Sequence, residues 1–157
     1  TTLVIVKNDI LGKTGRQIPT MLDYTIHIKK ESMFNTPPVF SIYVCLLTLS
    51  WLKKNGGIEW VEKRNLEKSK LLYDTIDSNH LFEGIAIKED RSVMNATFLL
   101  KETKLKEKFN LICKSAGING LKGHRSVGGY RASMYNSMPL NSVQVLVEIM
   151  SELERKS

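Results

Sequence analysis

A chain of 157 residues, 42% hydrophobic and 25% charged, is large enough for about one domain with a buried core and too apolar to stay disordered. Its formal net charge of +7 suits nucleic acid, an anionic membrane surface or small anionic metabolites, and the sign alone does not choose among them. The cations are spread out, however: Lys63, Arg64, Lys68 and Lys70, then Lys104, Lys106 and Lys108, are interleaved with Glu59, Glu62, Glu67, Glu102 and Glu107, the pattern of solvated helix faces rather than a binding stripe.

In chain order, the first element is Leu3-Val4-Ile5-Val6, which reads as a strand buried on both faces. Such strands belong to parallel sheets with further strands beside them, and too few partners follow. The expectation is therefore that the sequence starts inside a larger domain, of which it is the carboxyl-terminal part. Residues 9–36 read as an irregular connection with Gly12, Gly15 and Pro19. The "NTPP" at 35–38 then starts a helix, with Pro38 in the first turn, where a missing N–H costs nothing. That helix is apolar all round, which predicts burial, and it ends at Asn55-Gly56-Gly57. Its longest apolar run, 39–52, is about 14 residues and falls short of the ~20 that cross a bilayer. No signal peptide is visible.

A long charged helix over about 58–76 follows, with Ile58, Val61, Leu72 and Ile76 on its inner face, linking into a smaller domain. From Arg91 the period changes to two, with Met94, Ala96, Phe98 and Leu100 on one face of a strand. Leu105, Phe109, Ile112, Cys113 and Ala116 return to helical spacing and stop at Gly117. A second strand runs through Tyr135, and a last helix starts at Asn141, with Leu140 and Val145 placed as a hydrophobic staple. Its buried stripe is Val143, Leu146, Val147, Met150 and Leu153. Strand, helix, strand, helix predicts a small α/β layer with helices on one face of a sheet. The predicted boundaries are 1–55 for the end of a larger domain and 56–157 for the small one.

Phosphate-loop, dinucleotide, zinc-protease and serine-hydrolase motifs are absent, and His27, His80 and His124 lack metal-ligand spacing. Cys45 and Cys113 lie in apolar helical patterns with no CxxC pair, which reads as buried reduced thiols in a cytoplasmic chain. Two places remain for chemistry. The first is Asn35-Thr36, either a helix cap or, with the helix N–H groups and dipole, a phosphate-binding helix start. The second is "GHRSVGGYRAS" at 123–133. His124 and Arg125 adjoin there, and a guanidinium fork beside an imidazole suits carboxylate or phosphate. On a regular strand Arg125 and Arg131 would face the same way about 20 Å apart, too far for one small anion. Only Tyr130 lies in this cationic stretch, whereas a nucleic-acid surface interleaves several aromatics with its basic residues.

The stretches "NTPPVFSIYV" (35–44) and "GLKGHRSVGGYRASMYNSMP" (120–139), with "RQIPTMLDY" (16–24) and "EDRSVMNATF" (89–98), closely resemble the phosphoserine aminotransferase family, pyridoxal-phosphate enzymes of fold type I. The resemblance covers essentially the whole chain. It implies an α/β fold made of the last part of a large pyridoxal 5'-phosphate domain and a carboxyl-terminal small domain. It also implies transamination between glutamate and 3-phosphohydroxypyruvate in serine biosynthesis and, in many bacteria, service to vitamin B6 synthesis. Asn35 and Thr36 would bind the cofactor phosphate held in the neighbouring subunit of a homodimer, and Arg131 would pair with the substrate α-carboxylate. His124 and Arg125 would cross the dimer interface to the substrate's distal phosphate or the glutamate side-chain carboxylate.

No lysine here matches the family's cofactor-carrying lysine, which is expected upstream of Thr1 together with the ring-stacking aromatic and the aspartate for the pyridinium nitrogen. The chain alone is accordingly expected to be inactive and, with its apolar helix and reaching loops, prone to self-association. The competing expectation is a catalytically silent fragment with a structural or interaction role.

Overall fold

Two units make up the chain, Thr1–Asn55 and Gly56–Ser157, in a computed structural model that describes residues 1–123 and 128–157. In the first unit, single 3-10 turns at Asn8–Ile10 and Thr20–Leu22 precede helix α1 (Tyr24–Lys29) and helix α2 (Val39–Lys54). Asp23 caps α1, its carboxylate accepting from the Thr25 N–H at 2.9 Å and from the Thr25 hydroxyl at 2.6 Å. The chain leaves α1 through two consecutive left-handed residues, Glu31 (φ 50°) and Ser32 (φ 63°), and the Ser32 N–H reaches back to the His27 carbonyl at 2.8 Å. The His27 ring meets Phe34 edge-on at 5.6 Å and its Nε2 lies 2.8 Å from the Met21 carbonyl. A carbonyl only accepts, so Nε2 carries a proton. Together these contacts fold the approach to Asn35-Thr36 back on α1, a short helix that the sequence reading had merged into an irregular connection.

Helix α2 forms where predicted, but its burial does not. Phe40 is 79% exposed, and Val39, Tyr43, Leu46, Leu47, Leu49 and Cys45 are exposed as well. The pattern records a helix that demands cover on every side, and within this chain none of its side chains is buried. Leu3–Val6 fails for a related reason. Leu3 and Ile5 are 85% and 88% exposed and the segment is unpaired, because an extended run becomes a strand only when a neighbour takes up its N–H and C=O groups.

The second unit begins with helix α3 (Gly57–Ser78), whose inner stripe is Val61, Asn65, Lys68, Leu72 and Ile76 at helical spacing. Two expectations are corrected here. Ile58, in the first turn, is exposed rather than inward, and Lys68, expected on a solvated face, is buried. Strand β1 (Phe82–Gly84), three residues long and not predicted, pairs antiparallel with strand β2 (Asn95–Leu100). Helix α4 (Lys106–Ser115) follows, then strand β3 (Tyr130–Ser133), which pairs antiparallel with β2 in the register Ala96↔Ala132 and Phe98↔Tyr130. Helix α5 (Leu140–Arg155) completes the unit. The sheet order is β1-β2-β3.

Alternation along β2 puts Ala96, Phe98 and Leu100 inward. There Phe98 stacks on Tyr130 at 5.4 Å and meets Phe82 at 5.8 Å, while Phe109 of α4 packs 5.3 Å from Phe82 and 5.1 Å from Tyr130. From α5 come Val143, Leu146, Ile149, Met150 and Leu153; Ile149 replaces the predicted Val147, which is only partly buried. The helix starts at Leu140 with Pro139 as its cap residue, so Leu140 lies inside the first turn and the staple with Val145 does not form. Gly117 (φ 78°) ends α4 as predicted, with the Ile118 N–H on the Cys113 carbonyl at 2.9 Å. Burial pushes the Cys113 thiol up to about 11, which keeps it protonated and inert.

The β1–β2 connection is tied to α3 by Arg91. Its guanidinium donates to both Asp77 oxygens at 2.8 and 2.7 Å and lies 4.5 Å from the centre of the Tyr73 ring. The Arg91 hydrogen bonds hold the Asp77 carboxyl below its ordinary 3.8. A carboxyl depressed on folding contributes stability above its unfolded value and loses it as pH falls through the folded one. Arg91→Met is therefore expected to cost about 2 kcal/mol at neutral pH, allowing for the partial exposure of Asp77, and progressively less in acid. Urea titrations of both proteins at neutral and acid pH check this, and a cost independent of pH would refute the assignment.

Candidate functional site

Asn35 and Thr36 sit on the first unit, exposed, immediately before α2. The Asn35 amide donates to the Thr36 carbonyl at 3.3 Å, and no side chain caps α2. This corrects the cap reading. The Val39 N–H is taken by the Pro37 carbonyl at 2.8 Å, and no acidic residue stands in the first turn of the helix. An uncapped helix start, preceded by an amide and a hydroxyl that can turn to donate, has the donor set and dipole polarity for a phosphate dianion.

Arg131 lies on β3 of the second unit, opposite Thr97 in register. Its neighbours Tyr130 and Ala132 point into the core, so by parity Arg131 points outward and is exposed. The strand is gripped from its other side too, since the Arg131 N–H donates to the Leu121 carbonyl at 2.7 Å and the Gly123 N–H to the Gly129 carbonyl at 2.9 Å. Arg131 has no ion-pair partner among the described residues. It lines a cavity of about 650 Å³ together with the 116–121 loop, residues 132–135 and the first two turns of α5. The strand thus holds an exposed guanidinium without an ion-pair partner among the described residues, on a segment that borders an open cavity, an arrangement suited to capture of a small carboxylate.

The glycine pair before β3 is demanded by geometry. Gly129 has φ 64°, and a Cβ there would come within 2.7 Å of the Phe98 carbonyl oxygen. Gly128 is also left-handed (φ 75°). The backbone is therefore not regular strand at the pair, and β3 begins only after it, at Tyr130. His124 and Arg125 themselves lie outside the described residues. Asn35 and Thr36 belong to one unit and Arg131 to the other.

The sequence reading overlooked Lys68 and Asn65. The Lys68 ammonium donates to the carbonyls of Met134 at 3.3 Å and Tyr135 at 2.7 Å, and the Asn65 amide donates to Asn136 Oδ1 at 2.8 Å. Burial pulls the Lys68 pKa below the ordinary lysine value, and nearby Arg64 adds to the effect. The signal was available in the spacing: positions 61, 65, 68, 72 and 76 fall on one helical face, and two of the five are polar.

The family model for class-V aminotransferases matches residues 1–146, and the chain belongs to that family. Among its relatives, the phosphoserine aminotransferase of Flavobacterium psychrophilum is 66% identical over 156 residues, which cover 99% of this chain and 44% of that protein. A solved phosphoserine aminotransferase studied for radiation damage at its Schiff base superposes with a TM-score of 0.88 at 47% identity, covering 97% of this chain and 42% of that one. The pyridoxal-phosphate-bound phosphoserine aminotransferase of Trichomonas vaginalis gives 0.79 at 38% identity over 85% of this chain and 39% of its own. The chain thus spans less than half the length of these relatives, and its α/β architecture is that of the matching part of a pyridoxal-phosphate-dependent aminotransferase.

Proposed function

We propose that this chain forms the carboxyl-terminal part of a pyridoxal 5'-phosphate-dependent phosphoserine aminotransferase. The reaction is amino transfer between glutamate and 3-phosphohydroxypyruvate, giving O-phosphoserine and 2-oxoglutarate for serine biosynthesis in the cytoplasm. Residues 1–55 close the large cofactor domain and 56–157 form the small domain over the substrate. The observation that carries this reading is Arg131, exposed on β3 at the border of an open cavity and without an ion-pair partner among the described residues. Family membership and the uncapped start of α2 support it.

When bound, the pyridoxal group supplies the electrophilic carbon and electron sink that amino transfer needs. Asn35 and Thr36, with the first N–H groups of α2, hold its phosphate in the partner subunit of a homodimer. Arg131 orients the substrate by a two-point hydrogen bond to its α-carboxylate, which both donor and acceptor substrates carry. His124 and Arg125 bind the opposite end, phosphate in one substrate and carboxylate in the other. A use in vitamin B6 synthesis would place a longer phosphorylated amino acid in the same clamp.

The test is turnover by the full-length protein loaded with cofactor, with phosphorylated and unphosphorylated substrates compared in wild type and Arg125→Leu. Glutamate-dependent formation of phosphoserine is expected. Arg125→Leu is expected to cost the phosphorylated substrate about tenfold or more in kcat/KM relative to serine. Equal losses for phosphoserine and serine would remove the phosphate role from Arg125. An absence of cofactor absorbance in the full-length protein would overturn the enzyme reading.

A further inference from the structure

Lys68 is 1% exposed and forms no ion pair among the described residues. Desolvating an ammonium costs several kcal/mol, and a methionine would fill much the same volume without that cost. What the ammonium adds is a grip on two successive carbonyls, Met134 and Tyr135, where the chain leaves the sheet. The peptide there is also held from the other direction, because the Met134 N–H donates to the Met94 carbonyl at 2.7 Å. One helical turn earlier, Asn65 fixes Asn136. Three consecutive residues are thus pinned by a single face of α3.

Upstream of this clamp, β3 is only four residues long. Burial of Tyr130 and Ala132 and pairing on both sides set its register, but the ladder stops at Ser133, so the path of the chain just beyond the strand depends on the bonds to residues 134–136. Arg131, Met134 and Tyr135 line one cavity. We propose that Lys68, assisted by Asn65, is a positioning residue for Arg131: by holding the carbonyls that follow β3, it anchors the strand's carboxyl end and keeps the guanidinium aimed at the substrate carboxylate. This rests on the reading of Arg131 as the carboxylate anchor.

The experiment is a double-mutant cycle in the full-length holoenzyme, with Lys68→Met in wild-type and Arg131→Leu backgrounds. Its readouts are KM for glutamate and 2-oxoglutarate, kcat, and amide hydrogen exchange over residues 130–136. Lys68→Met is expected to raise both KM values about tenfold, to change kcat less than about threefold, and to speed exchange in that segment. In the Arg131→Leu background the same change should move KM less than about twofold. An unchanged KM, or an undiminished tenfold effect in the Arg131→Leu background, would overturn the proposal. If Arg131→Leu alone leaves both KM values unchanged, the anchor reading fails first and the proposal falls with it. Should Lys68→Met not fold, Asn136→Ala breaks the same clamp from the loop, with an expected KM rise of about threefold and the same loss of effect beside Arg131→Leu; full additivity there would also overturn the proposal.

Discussion

Arg131→Leu is expected to lower kcat/KM for glutamate and for the keto-acid substrates by on the order of a hundredfold or more, expressed mainly in KM. The magnitude follows from losing two charge-assisted hydrogen bonds, each contributing about 1.5–3 kcal/mol in a partly desolvated site. The reasons for expecting it to be large are structural. Among the described residues no carboxylate competes for this guanidinium, and the strand that bears it is paired on both sides, so neither reorganisation nor a broken ion pair offsets the binding energy. Because the α-carboxylate is common to every substrate, the loss should be similar for phosphorylated and unphosphorylated ones, in contrast to Arg125→Leu. Steady-state kinetics on four substrates measures this, and a loss restricted to one would contradict the assignment.

The largest effect on stability is expected at Phe98. It is fully buried at the centre of β2, the middle strand, with Tyr130 stacked on it and Phe82 against its edge. Phe98→Ala removes a ring whose neighbours come from β1 and β3, the two flanking strands, so the surroundings cannot collapse without breaking the sheet. The expected cost is about 3–5 kcal/mol, a large share of the 5–15 kcal/mol typical of a whole domain. Thermal unfolding of the two proteins compares them directly, and a decrease in the midpoint of only a few degrees would show that the aromatic cluster is less cooperative than its geometry indicates.

Elements with a clear period of their own were legible in the sequence. Most of α3, α4 and α5, and strand β2, carry enough apolar repeats to fix both type and inner face, whereas α2, apolar all round, had its type fixed and no inner face. Strand β1 was not legible, because three residues cannot display a period of two and its existence depends on β2. What covers a surface was also illegible. Leu3–Val6 and α2 have the composition of buried segments, but composition states a demand for cover and not its source. Lys68 failed in the opposite sense: it was assigned to solvent by residue type, while its position on the stripe of Val61, Leu72 and Ile76 placed it inside. At the site, the stretch read as a strand through Tyr135 forms a strand only over Tyr130–Ser133, directly after the left-handed Gly128 and Gly129.

Helix α2 also sets what these 157 residues would show by themselves in solution. Sixteen residues with no buried side chain are expected to bind a fluorescent dye that reports apolar surface, and the signal should fall when the same helix is measured within the longer protein of the family's usual length.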